Sequence, residues 1–173
     1  PLELFNQKLN AFNKNNKITN YEIFNVALSD KVGEMEFNYF KEAPISSSLN
    51  NPNDYWEGKK KESVSKVKVK VDKLSNYKSR INFQNCLIKI DTQGNEFEVL
   101  NGIDDEIYKQ TKFFILEIAF HKRYETQCSF DELYMHLREN GFKLAGVIDL
   151  NNEVKASVGD FLFCKANDNR KYF

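Results

Sequence analysis

The sequence predicts an α/β fold: a largely parallel sheet with helices between its strands, closed at one edge by an antiparallel hairpin. Three observations predict it. Runs rich in β-forming residues alternate with runs of helical spacing along most of the chain. Phe113 to Phe120 (FFILEIAF) is apolar on both faces apart from Glu117, as a central strand of a parallel sheet would be. The last two strand-like stretches, Phe142 to Leu150 and Val158 to Cys164, are joined by a polar turn at Asn151-Asn152 without a helix between them, so they must pair antiparallel. At 173 residues the chain suits a single domain, able to bury about 70% of its unfolded surface.

Taken in order, Leu2, Phe5, Leu9 and Phe12 recur with the spacing of an amphipathic helix, which dissolves into the polar run Asn13 to Lys17. Pro1 fits the first turn of such a helix, and no initiator Met or signal-peptide pattern precedes it. The chain is therefore expected to be the C-terminal portion of a longer one. Tyr21 to Leu28 reads as a strand, and Glu34 to Phe40 as a second extended stretch after a turn at Gly33. Pro44 to Lys61 has no periodicity and is longer than loops usually are without a functional reason. Val67, Val69 and Val71 alternate with Lys66, Lys68 and Lys70, a half-buried strand whose lysine row is expected to be a solvated face guarding a sheet edge. Cys86 to Ile90 is a short strand ended by the turn Asp91-Thr92-Gln93-Gly94. A helix starts at Glu96, passes Gly102 and resumes over Asp104 to Gln110. Ser129 and Glu132 form a capping box for a helix whose buried face is Phe130, Leu133 and Leu137, closed by Asn140-Gly141.

Charge and composition exclude several functions. Twenty-five basic residues balance 25 acidic ones, so no net field draws the chain to nucleic acid or to an anionic membrane. The longest apolar run, Phe113 to Phe120, falls far short of the ~20 residues of a membrane span. Cys86, Cys128 and Cys164 are odd in number and far apart, which argues against a disulfide framework and for a reducing cytoplasm. The seven glycines never fall as G-x-G, and no G-x-S-x-G occurs. With only His121 and His136 available, no metal site is expected.

In an open α/β sheet, ligands bind beyond the carboxyl ends of the strands. The exits to inspect are Ala27-Leu28-Ser29-Asp30, Asp91-Thr92-Gln93-Gly94 and Ala119-Phe120-His121. Asp91 ends a buried strand and Glu96 opens the next helix, so two carboxylates stand near one mouth. Asp91 is either a proton acceptor or the cap of the following helix, with Glu96 complementing its dipole. Glu117 inside an apolar strand needs a partner. Tyr55 and Trp56 either stack on a ligand or anchor the long loop to the core.

The run Lys89-Ile90-Asp91-Thr92-Gln93-Gly94-Asn95-Glu96-Phe97-Glu98-Val99-Leu100-Asn101-Gly102 resembles the signature of the FkbM family of S-adenosylmethionine-dependent methyltransferases, K-x-D-x-x-G-x-E-x-x-x-L-x-G. Asn25 to Asp30, the serines Ser46-Ser47-Ser48, Ile115-Leu116-Glu117 and Gly159 to Phe163 resemble further family segments in the same order. Val69 to Leu74 does so imperfectly, with Asp72 and Lys73 where Thr and Leu are commoner.

The resemblance implies a Rossmann-like class I methyltransferase sheet, mostly parallel, with an antiparallel C-terminal hairpin and with its first two strands and cofactor loop lying before Pro1. Without them the fragment is expected to be inactive. The implied cofactor is S-adenosylmethionine, with Ala27, Leu28 and Ser29 flanking the adenine and Asp91 beside the methyl group. The implied reaction is O-methylation of a sugar, glycan or small-metabolite hydroxyl, as in polysaccharide biosynthesis. Asp91 is the first candidate to orient or deprotonate the acceptor, Glu96 the second and His121 the third, the last being equally a surface histidine. The alternative is a Rossmann-like binding domain that has lost the chemistry.

Overall fold

Valine and lysine alternate over residues 66–71, and a strand forms there from Val64 to Asp72, its lysines in water and its valines passing from exposed Val67 through half-buried Val69 to buried Val71. In the computed structural model, which describes residues 21–57, 63–150 and 157–166, this is the third of seven strands. They are β1 (Ala27–Leu28), β2 (Gly33–Phe40), β3 (Val64–Asp72), β4 (Leu87–Ile90), β5 (Phe113–Ala119), β6 (Phe142–Leu150) and β7 (Val158–Lys165). The helices are α1 (Glu96–Asn101), α2 (Asp105–Gln110) and α3 (Phe130–Glu139). The helix expected around Leu2 to Phe12 and the turn at Asn151-Asn152 lie outside the described residues.

The strands form two sheets, ordered β1-β3-β2 and β4-β5-β7-β6. β1/β3 and β4/β5 are parallel, while β2/β3, β5/β7 and β6/β7 are antiparallel. The expectation of one mostly parallel sheet is thus corrected for the described residues. β2 and β3, read separately from sequence, pair along their whole length from Gly33↔Val71 to Phe40↔Val64. The expected closing hairpin is present at one edge, with β6 outermost and β7 beside β5.

β3 is flanked on both sides only at Val71, where β1 and β2 both pair with it; among the described residues, Lys66, Lys68 and Lys70 ladder with β2 alone and stand along an open edge, as expected. They are exposed and stand opposite Asn38, Glu36 and Glu34 of β2, and Lys66 Nζ lies 2.7 Å from Glu36. The stretch Tyr21 to Leu28 joins a ladder only at Ala27 and Leu28.

Helices α1, α2 and α3 contribute Val99, Leu100, Ile107, Leu133 and Leu137 to one core with Ile90, Phe114, Leu116, Ile118, Phe161 and Phe163 of the four-stranded sheet. The expected capping box starts α3: Ser129 Oγ accepts from Glu132 N (3.3 Å) and Glu132 Oε2 accepts from Ser129 N (2.7 Å). Gly102, between α1 and α2, lies where the Ser29 carbonyl oxygen comes too close to admit a Cβ. That contact locks the exit of β1 onto the end of α1. A second, smaller core joins Phe40, Trp56 and Tyr124. No helix among the described residues is long and apolar enough to cross a membrane.

Candidate active site

The turn after β4 turns inward on itself. Gln93 and Gly94 both adopt positive φ (56° and 96°), which folds the backbone N–H groups of the turn around a single acceptor. That acceptor is Glu96 Oε1, which takes bonds from Thr92 N (3.0 Å), Gly94 N (3.0 Å) and Thr92 Oγ1 (3.2 Å). Glu96 is only 4% exposed, and burial pushes its carboxyl up from the ordinary range against the pull of these donors. Glu96 therefore stands inside the turn and not at its mouth. The space for a larger side chain at Gly94 is taken by Tyr124, whose Cδ2 would lie 2.7 Å from an added Cβ.

Asp91 faces out. It is exposed, and its carboxylate holds Gln93 Nε2 at 3.0 Å and Lys89 Nζ at 3.5 Å. It does not cap α1: the residue preceding that helix is Asn95, which has no side-chain capping bond. Asn95 Nδ2 instead donates to the Leu28 carbonyl (3.0 Å), drawing the exits of β1 and β4 together.

Glu117 finds its partners here. Its Oε2 accepts from Gln93 Nε2 at 2.6 Å, so one amide bridges Asp91 and Glu117. Burial first, and then the charge of Asp91, push the Glu117 carboxyl up. Across the β5/β7 ladder Glu117 stands opposite Asp160, which binds Lys89 Nζ at 3.1 Å. Partial desolvation lowers the Lys89 ammonium, but Asp160 and Asp91 outweigh it and hold it above its usual value. Among the described residues, Asp160 Oδ1 and Arg123 Nε are buried without a hydrogen-bond partner. Arg123, Glu117, Gln93 and Tyr124 line a cavity of about 10 Å³, room for one water.

The long loop after β2 serves this turn. Ser48 Oγ donates to the Gln93 carbonyl (2.7 Å) and Asn50 Nδ2 to the Gly94 carbonyl (2.5 Å). Trp56 anchors the loop, packed between Phe40 and Tyr124 at ring-centroid distances of 4.9 and 6.1 Å. The anchoring reading holds for Trp56, whose rings meet protein rather than ligand. Tyr55 lies under the Arg123 guanidinium, 5.5 Å away.

Of the expected cofactor residues, Ser29 is buried, with its N–H on the Asp72 carbonyl (3.0 Å) and its hydroxyl on Asp30 (3.2 Å). Ala27 and Leu28 are half-buried. Leu28 lines an apolar groove of about 200 Å³ with Phe24, Val26, Leu74, Tyr77 and Ile81. His121 is exposed beyond the end of β5. The structure thus brings Asp91, Glu117 and Lys89 together, keeps Glu96 beneath them, and adds Gln93, Ser48, Asn50 and Asp160; these lie in segments the sequence marked, but none was given a role from sequence. The signal available was Glu117 itself, a charge in an apolar strand that demanded a partner.

An α/β chain with an acidic mouth at adjoining strand ends is consistent with a group-transfer enzyme. Residues 2–144 match the family described as the Methyltransferase FkbM domain, and the chain belongs to that family. None of the curated proteins and none of the solved structures matches the chain.

Proposed function

We propose that the chain is an S-adenosylmethionine-dependent O-methyltransferase acting on a hydroxyl of a sugar, a glycan or a small metabolite. The observation that carries this reading is the exposed Asp91 carboxylate, fixed by Lys89 and Gln93 at the exit of β4 in a chain of the FkbM methyltransferase family. The exposed Asp91 carboxylate suits the cofactor, because a negative charge at the mouth favours a sulfonium cation; behind it Glu117 and Asp160 are balanced by Arg123 and Lys89. When bound, S-adenosylmethionine supplies an electrophilic methyl group.

The remaining work falls to this chain. Asp91 orients the acceptor hydroxyl and takes its proton as the oxygen becomes a nucleophile. Glu96, enclosed by three donors, holds the turn that aims Asp91. His121, exposed at the neighbouring exit, is the further candidate for the proton. Ala27, Leu28 and Ser29 flank the adenine by shape and apolar contact, because the Leu28 carbonyl and the Ser29 N–H are already bonded.

The test is transfer of an isotopically labelled methyl group from S-adenosylmethionine by the full-length protein to candidate hydroxyl acceptors, with calorimetric titration of S-adenosylhomocysteine. Binding accompanied by transfer supports the reading. A folded protein that binds no S-adenosylhomocysteine would turn it toward a binding domain without chemistry.

A further inference from the structure

Two features of the turn exceed what a simple general base requires. Gln93 holds its backbone at φ 56°, a left-handed conformation that disfavours a residue with a side chain. Its amide then donates to two different acids, Glu117 at 2.6 Å and Asp91 at 3.0 Å. The strained backbone is held from outside by the Ser48 hydroxyl on the Gln93 carbonyl and the Asn50 amide on the Gly94 carbonyl. A strained residue over-determined by its surroundings points to a function for the strain.

We propose that Asp91, Gln93 and Glu117 act as one proton-handling unit, in which the two carboxyl groups share a single proton, Asp91 is the open base, and Gln93 is the positioning residue that keeps them in register. The role in turnover rests on the methyltransferase reading; the pairing of the carboxyls does not. At rest the proton belongs to Glu117, the more buried partner, and Asp91 keeps its charge toward the mouth. When the acceptor O–H bond breaks, its proton bonds to Asp91, Glu117 retains its own, and both carboxyls are neutral. Asp91, being exposed, then releases its proton to water and restores the one-proton pair.

The surroundings agree. Burial and then the charge of Asp91 raise the Glu117 carboxyl, against the pull of the Gln93 amide. Arg123 pulls the other way, with less effect. Glu96 and Tyr124, lining the same cavity, bring no cation, and Lys89 is engaged by Asp91 and Asp160. Asp160, opposite Glu117 in the ladder, adds a further acid.

The decisive experiment is a carbon-13 carboxyl NMR titration of the full-length protein, with Glu117→Gln assigning the Glu117 resonance. Asp91→Asn should lower the Glu117 midpoint, because a negative neighbour is removed. Gln93→Ala should raise it, because the ionised carboxylate loses its donor, and kcat should fall about 10-fold or more with KM little changed. Shifts of opposite sign are not expected of a residue that is merely structural. A Glu117 midpoint that neither variant moves would overturn the proposal. Shifted midpoints in a protein that transfers no methyl group would overturn the role in turnover and the methyltransferase reading, while leaving the carboxyl pair established.

Discussion

Compare the two faces of the four-stranded sheet along β5. Phe114, Leu116 and Ile118 point to one side and are at most 1% exposed, packed in the cluster that the three helices complete. Ile115, Glu117 and Ala119 point to the other and are half-buried. One strand thus serves two environments, separated only by the two-residue period of its side chains. On the helical face a charge would have no partner and would cost several kcal/mol. On the opposite face partial hydration and mutual pairing make Lys89, Asp160, Glu117 and Asp91 tolerable neighbours. The charged groups gather where the sheet is least completely dry.

Substitutions can break that contrast. Leu116→Ala should cost about 2–5 kcal/mol in urea unfolding, whereas Ile115→Ala, one residue along on the wetter face, should cost clearly less. Equal losses would mean the two faces are equally packed. Asp91→Ala should reduce labelled-methyl transfer about 10²–10⁴-fold while the unfolding midpoint stays close to that of the parent, since Lys89 keeps Asp160 and Gln93 keeps Glu117. A variant with full turnover would remove Asp91 from the mechanism and shift attention to His121. Gly94→Ala, which places a Cβ 2.7 Å from Tyr124 at φ 96°, should cost about 2 kcal/mol and also lower activity, because the end of β4 belongs to both faces.

Smaller effects sharpen the same contrast. Ser129→Ala deletes the cap of α3 and should cost about 1 kcal/mol in thermal or urea melts without touching transfer, since α3 belongs to the helical face alone. Glu117 offers a test by pH. Its carboxyl is raised in the folded protein, so the folded state holds the proton more tightly than the unfolded one. Stability is then greatest below the ordinary glutamate range and declines as pH rises through the raised value. Glu117→Gln should flatten that decline, measured as unfolding midpoints over a pH series. Parallel pH profiles would show that Glu117 is not perturbed by the fold.

What could be read from sequence was what nearby residues decide. The Ser129/Glu132 box, the Gly141 closure of α3 and the alternation of β3 each depend on a handful of consecutive positions, and each is found as expected. The place of Asp91 at a strand exit was legible in the same local way, whereas its exposure, in place of a capping role, was not. The misses are non-local. β2 and β3 pair across the long loop between them, which converts two isolated extended stretches into an antiparallel ribbon and divides the strands into two sheets. Gln93 gains its meaning from Glu117, 24 positions away, and from Ser48, 45 positions away. Tyr21 to Val26 has the composition of a strand, yet only Ala27 and Leu28 meet β3.

The left-handed backbone at Gln93 has a consequence for anyone improving this protein by selection. Glycine at that position would relieve the conformational cost but delete the amide that joins two acids. A screen for heat resistance weighs only the balance of those two terms and is blind to what the amide does for the acids. Libraries built on this scaffold should therefore be sorted on methyl transfer first and on thermal survival second.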